Sequence, residues 1–507
     1  MEKRTLFAVI LSILILVGWS YFFQKPAQKP KPAQQPPLKT EQAVKPEAQQ
    51  PAVQPLDLPP AAQGAAASDI TVETDLYKAV FSTEGAIIKS WELKTYKDDG
   101  KMPVVLLKAP GAVPPLGIIP DGSARSMMKA LYTAGAEHLT LSEGSSRGEL
   151  VFTYSDNATS IRKKFVFYND DFRVDLSIET AGIQSYVIPI GTDFGVFDKK
   201  QSEHKGPVVL VDSNRKEFDE KLKEKLDFTG YVNWIAQEDK YFTAALIPGA
   251  QTDGAVVWKE GASPEIAFKV KQPKQDFILY AGPKEYDRLK KLNKGLEHII
   301  DFGWFSIVAM PLFWVLKFFY KYLGNYGWAI IVLTIVTRIP FIPILNKSQQ
   351  SMKKMQKIQP MMAEIKEKYK KDPQKMQKEM MALYKKHKVN PVGGCLPMLL
   401  QIPVFVALYN VLAKAIELRG AHFAFWITDL ASKDPYYVLP VVMGGTMILQ
   451  QKMTPTAMDP TQAKMMMFMP VIFTFMFLSF PSGLVIYWLV NNILGIIQQY
   501  FVNKKAA

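Results

Sequence analysis

Residues 328–345 read WAIIVLTIVTRIPFIPIL, an apolar run close to the length that crosses a bilayer core, with Arg338 near its middle. A guanidinium carries a permanent positive charge and only hydrogen-bond donors. At membrane depth it costs about 3 kcal/mol on insertion scales. Snorkelling past Leu345 would require its charge to reach about 10 Å at the helical rise. The alternative is that water or polar groups enter the membrane at this level. Thr334 lies one turn before Arg338, Thr337 is adjacent, and Pro340 and Pro343 free backbone carbonyls. The other apolar segments offer Gln401, Tyr409, Asn410, Thr446, Gln450, Tyr487, Asn491 and Asn492. Singly, such residues serve as helix-to-helix hydrogen-bonding glue. Around an arginine they can wet a cavity.

The residue types that would make this cavity an enzyme or a pump are missing from the spans. No carboxylate sits at membrane depth to load and release a proton, and no nucleophile–base pair or aspartate pair suits an intramembrane protease. No polar lining marks a complete ion path. No GxxxxGK[ST] loop is present, and the single cysteine, Cys395, excludes an intramolecular disulfide or a cysteine-based zinc site. No cofactor and no metal are expected. The net charge of +14 over 507 residues need not mean nucleic acid. The basic residues cluster beside membrane-length apolar runs, where the positive-inside rule accounts for them.

The elements that must position Arg338 follow in order. Residues 1–23 read as a retained transmembrane anchor, because the exit WSYFFQKP is aromatic and lacks a small-residue cleavage site. Residues 24–67, rich in Pro, Ala and Gln, read as an extended tether on the outer side of the membrane. Residues 68–283 alternate with period two in runs such as RKKFVFY and FRVDLSIET, the mark of a β-sandwich. Within this domain NRKEFDEKLKEK, residues 214–225, reads as a charged helix or loop. His138 and His204 are isolated, so a binding or scaffolding role is favoured over catalysis.

Residues 284–325 read as a linker helix followed by an amphipathic helix at the outer interface. A crossing there would place residues 346–390, with 13 lysines against four acids, outside the cell. A second span covers 326–345, and residues 346–392 form a cytoplasmic helical hairpin broken at Asp372 and Pro373. Its Met352, Met355, Met362, Met376 and Met380 serve either as a core between two helices or as an adaptable surface for apolar segments. Spans at 396–413, 436–451, 465–480 and 484–501 complete six, and residues 502–507 form a cytoplasmic tail.

The block KVNPVGGCLPMLLQIPVFVALY, the stretches DPYYVLPVVMGGTM, FMPVIFTFMF and FPSGLVIYWLVNN, and the helix bearing Arg338 closely resemble the YidC family of membrane protein insertases. That family comprises the bacterial relatives of mitochondrial Oxa and chloroplast Alb proteins. The resemblance extends over residues 300–501, and the anchor, tether and β domain resemble the Gram-negative form, whose periplasmic sandwich has a carbohydrate-mutarotase-like shape and no known enzymatic activity. It implies an α-helical polytopic membrane protein with a five-helix insertase core, an all-β periplasmic domain and a cytoplasmic hairpin, in the bacterial inner membrane with both termini cytoplasmic. It implies a hydrophilic groove open to cytoplasm and lipid, with Arg338, Thr334, Tyr487 and Trp488 in the groove and Phe405, Met443 and Met476 on an apolar slide.

The expected partners are nascent or newly released membrane proteins, the lipid bilayer, Sec translocon components and a targeting factor. Ribosome contact is expected to be weak, because the tail after Phe501 lacks the long basic extension of some relatives. The function implied is non-enzymatic insertion and assisted folding of inner-membrane proteins, alone or with the translocon. A lipid or small-solute transporter using the same cavity, or an assembly scaffold, remains open from the residues alone.

Overall fold

The computed structural model describes residues 66–98, 100–121, 126–198, 204–387, 389, 396–453 and 460–504. The expected anchor, residues 1–23, and nearly all of the tether lie outside these. Period-two alternation becomes strand pairing as anticipated. Along Arg173–Ala181, Val174, Leu176 and Ile178 point into the core, and Leu176 pairs with Phe165 on one side and Phe277 on the other. Burying every second side chain fixes the register, since a slip of one residue would turn the apolar set to solvent.

The largest sheet has nine strands. From edge to edge it runs Asn214–Glu217, Gly206–Val211, Val232–Glu238, Phe242–Pro248, Lys274–Pro283, Arg173–Ala181, Ser160–Tyr168, Arg147–Ser155 and Thr133–Ala134. Two five-stranded sheets accompany it, and all three contribute to one continuous apolar core. The charged stretch expected as a helix or loop from residue 214 instead begins with an edge strand. Asp212 and Ser213, at φ of 47° and 66°, make the tight turn that folds Asn214–Glu217 back on Gly206–Val211. Arg215 of this strand donates from Nη2 to buried Glu238 Oε1 at 2.5 Å, so its charge is satisfied inside the domain.

After the sheet come α1 (Tyr286–Lys291) and α2 (Ser306–Leu323). Gly324, in the left-handed region at φ 63°, ends α2. Asn325 then caps α3 (Tyr326–Arg338), its Oδ1 accepting from the backbone of Gly327 at 2.8 Å and Trp328 at 3.2 Å. Pro340 lacks an N–H, so the regular helix ends at Arg338 and a 3-10 turn, Ile339–Phe341, leads into α4 (Ile342–Lys357). The second span therefore runs on into the hairpin. A break at Ile358 separates α5 (Gln359–Lys368), and Asp372 caps α6 (Pro373–Lys386) by accepting from Lys375 N at 3.0 Å.

The remaining helices are α7 (Leu396–Lys414), α8 (Val438–Met453), α9 (Pro460–Phe477) and α10 (Ser482–Lys504). Gly303–Leu323, Tyr326–Lys357 and Ser482–Val502 are long and apolar enough to cross a membrane, and Gln401–Lys414 and Met467–Phe477 are shorter apolar helices. The segment containing α2, expected along the outer interface, is thus also long and apolar enough for a span. It is strongly two-faced: Ala309, Phe313 and Leu316 are buried against neighbouring helices, while Trp304, Ile307, Trp314, Phe318 and Tyr322 are exposed.

The β domain and the helices meet at residues 413–419. Ile416 is buried in the core of the β domain, Tyr241 donates its hydroxyl to Ala413 O at 3.3 Å, and Lys414 Nζ donates to Asp301 O at 2.8 Å.

Candidate functional site

Arg338 stands at the last residue of α3, facing α10. Its Nη1 donates to the backbone oxygen of Asn491 at 2.7 Å and to Asn491 Oδ1 at 2.6 Å, and its Nη2 donates to Gln498 Oε1 at 3.1 Å. Each of these acceptors is a neutral oxygen. A cavity of about 200 Å³ opens beside the guanidinium, lined by Thr334, Thr337, Arg338, Gln401, Gln450, Tyr487 and Asn491 together with Phe341, Leu345 and Val404. No carboxylate lines it among the described residues.

The α10 face that meets Arg338 carries Asn491, Gly495 and Gln498, spaced four and three residues apart and therefore on one side of the helix. Gly495 is necessary for the close approach. A Cβ there would lie 2.5 Å from Gln450 Nε2 and 3.3 Å from Arg338 Nη2. Across the cavity, Gln401 Nε2 on α7 donates to the buried Tyr487 hydroxyl at 2.6 Å, and near the α8–α10 contact Asn492 Nδ2 donates to Thr446 Oγ1 at 3.2 Å. Thr334 turns its hydroxyl back onto its own helix, donating to Ile330 O at 2.7 Å, so it forms cavity wall without contributing a projecting donor.

Three of the four residues expected in the groove, Arg338, Thr334 and Tyr487, come together in this cavity. Trp488, about 100° further round α10, belongs to an adjoining aromatic cluster. Phe405 meets it edge-on at 4.9 Å, with Phe477 at 5.3 Å and Phe473 at 6.1 Å. Its indole N–H is buried with no hydrogen-bond partner among the described residues. Phe405 is thereby placed next to the cavity on the apolar side. Met443 is 0% exposed within the helix core, whereas Met476 is 44% exposed on the outer face of α9.

In the hairpin, Met362 is buried with Ile358 and Val389, and Met355 and Met380 pack on them, whereas Met352 and Met376 stand outside this small core, half-buried. Gln498, Gly495 and Asn346 were not singled out from the sequence. The signal was available, since Gln498 and Gly495 share the helical face of Asn491.

Residues 318–507 match the family described as 60Kd inner membrane protein, and residues 69–315 match the family described as YidC periplasmic domain. The membrane protein insertase YidC of Syntrophus aciditrophicus (strain SB) is 42% identical over an alignment 549 positions long, covering 100% of both chains. That of Geobacter metallireducens is 43% identical, covering 100% of this chain and 99% of the relative. This chain belongs to the YidC family of membrane protein insertases. A crystal structure of an active YidC insertase with its first transmembrane domain resolved aligns at a TM-score of 0.40 and 21% identity, over 84% of this chain and 91% of that one. Membership makes the protein an insertase of the bacterial inner membrane, and the three-sheet domain its periplasmic domain.

Proposed function

We propose that a polar or acidic segment of a newly made membrane protein enters the Arg338 cavity from the cytoplasm, while the adjoining apolar segment leaves sideways into lipid past Phe405 and Trp488. The observation that carries this reading is the set of partners around Arg338. A guanidinium held by neutral oxygens keeps its net charge, so the cavity attracts an anion that a resident carboxylate would otherwise have neutralised. The translocated segment exchanges bulk water for the cavity's hydrogen-bonding groups and crosses a shortened apolar barrier, so short, weakly charged tails are favoured. Energy comes from partitioning of the apolar segment and from the membrane potential, with no bond-making step.

Met476 and Met443 belong to the apolar route in this reading, Met476 at its lipid-facing end and Met443 behind it. The hairpin methionines Met352 and Met376, together with the exposed Met381, supply first contact for incoming segments. The α2 helix lies along the outer interface. Its Lys317 pairs with Asp287 of the β-domain linker, and Phe313 packs edge-on against Tyr286 at 5.8 Å, which supports holding the middle of that helix at the level of the periplasmic domain. Six spans with both termini cytoplasmic complete the topology. Sec translocon components and a targeting factor are further partners in this reading.

The test is reconstitution into liposomes with a small two-span substrate bearing an acidic tail. Wild-type protein is expected to stimulate insertion over empty liposomes. Arg338→Lys retains more activity than Arg338→Ala, because charge is what recruits the tail. Equal loss in the two variants overturns the electrostatic reading, and stimulation of lipid or solute flux without insertion would favour a transporter.

A further inference from the structure

We propose that Gln498 is a positioning residue for Arg338 and that it links the guanidinium to the base of the cytoplasmic hairpin through Asn346. The orientation of the Gln498 amide follows from donor chemistry. Arginine has no acceptor, so the atom facing Nη2 at 3.1 Å must be the amide oxygen. The amide nitrogen then points the other way and donates to Asn346 Oδ1 at 2.7 Å. Asn346 lies on α4, the helix that continues into the hairpin, and a second tie follows one layer further on, where Lys353 Nζ of α4 donates to Val502 O of α10 at 3.0 Å. The chain Asn346–Gln498–Arg338–Asn491 thus spans three helices.

Asn491 and Gln498 together engage three of the five N–H groups of the guanidinium, and they fix its plane from two points on one face of α10. Gly495 between them lets that plane lie against the helix. The remaining N–H groups have no acceptor among the described residues and are left for an incoming carboxylate, in an orientation that the arginine's long, flexible stem would not hold by itself. Movement of α4 against α10 strains the Asn346–Gln498 bond, so hairpin position and the readiness of Arg338 change together.

This inference rests on the reading of Arg338 as the group that attracts acidic tails. It is tested with two matched substrates, one with an acidic tail and one with a neutral tail, inserted into liposomes by full-length protein. Arg338→Gln sets the floor for the acidic-to-neutral rate ratio. Gln498→Met, similar in volume and unable to make either bond, is expected to lower that ratio by about threefold to tenfold, the acidic-tail rate falling more than the neutral-tail rate. Asn346→Ala should move it in the same direction by less, and Gln498→Glu, which neutralises the guanidinium, should bring it to the floor.

A merely structural role would depress both substrates equally, and that result overturns the inference. An unchanged ratio in Gln498→Met, with a lowered ratio in Arg338→Gln, overturns it while sparing Arg338. An unchanged ratio in Arg338→Gln removes both. If Gln498→Met does not fold, Asn346→Ala decides by the same ratio.

Discussion

The Arg419 guanidinium lies 5.2 Å from the centre of the Phe242 ring, in a cage completed by Tyr241 at 5.3 Å and Phe197 at 5.6 Å. It also donates from Nη2 to Lys97 O at 3.1 Å. A loop residue just beyond α7 is therefore held inside an aromatic pocket of the periplasmic domain. Each such contact is worth about 0.5–1 kcal/mol at a partly exposed site. Arg419→Ala is expected to raise amide hydrogen exchange across residues 413–419 by several-fold, with Arg419→Lys intermediate. Unchanged exchange would mean that Ile416 and the Tyr241 and Lys414 hydrogen bonds hold the junction without Arg419.

Glycine 495 gives two effects of opposite sign. Gly495→Ala improves helix propensity by about 1 kcal/mol, and the amide of Gln450 can swing aside to admit the methyl group. The thermal midpoint should hold or rise. Insertion of the acidic-tail substrate should fall, because the new methyl group presses on Arg338 Nη2. Full activity in a stabilised variant would show that the guanidinium tolerates displacement.

Glu417, in the same junction, takes a backbone hydrogen bond from Tyr286 and faces Glu285 and Lys317, and burial pushes its carboxyl up to about 7 from an ordinary 4.5. The folded protein therefore binds this proton more tightly than the unfolded chain does. Its contribution to stability is complete below about pH 4.5 and is lost as the pH rises towards 7. Glu417→Gln, which keeps the acceptor and cannot ionise, should match the wild-type thermal midpoint at pH 5 and exceed it by a few degrees at pH 8. A constant difference between the two proteins across that range would remove Glu417 as the titrating group.

Lys163 is fully buried in the β domain, where its ammonium donates to three backbone oxygens, Gly85 at 3.0 Å, Ala86 at 3.1 Å and Leu116 at 2.8 Å. Lys163→Met fills the space and leaves those carbonyls without this donor. At roughly 1–3 kcal/mol for each unsatisfied group, the domain should lose several kcal/mol in a denaturant titration of the full-length protein. A loss under about 1 kcal/mol would show that water replaces the ammonium.

The sequence alone determined the helices and strands whose cause is local or periodic. Alternation gave the sandwich because a strand buries every second residue, and apolar length gave the helices about Arg338. Asp372 and Pro373 marked the break between the hairpin helices. Tertiary structure decided what side-chain type and spacing leave open. The charge on residues 214–225 suggested a solvated helix or loop, but Glu238, distant in sequence, offers Arg215 a buried partner and makes its segment an edge strand. Tyr487 and Trp488 are neighbours in the chain, yet the turn of α10 sends one into the polar cavity and the other into the aromatic cluster.

Arg338 was conspicuous from the start because a lone cation in an apolar run has no local explanation. Its partners Asn491 and Gln498 are 153 and 160 residues away. Gln498 shares the helical face of Asn491, but nothing in the sequence around Arg338 selects that face over the polar residues of the other spans. Only the packing of α3 and α4 against α10, with Gly495 allowing the approach, decides which amides hold the guanidinium.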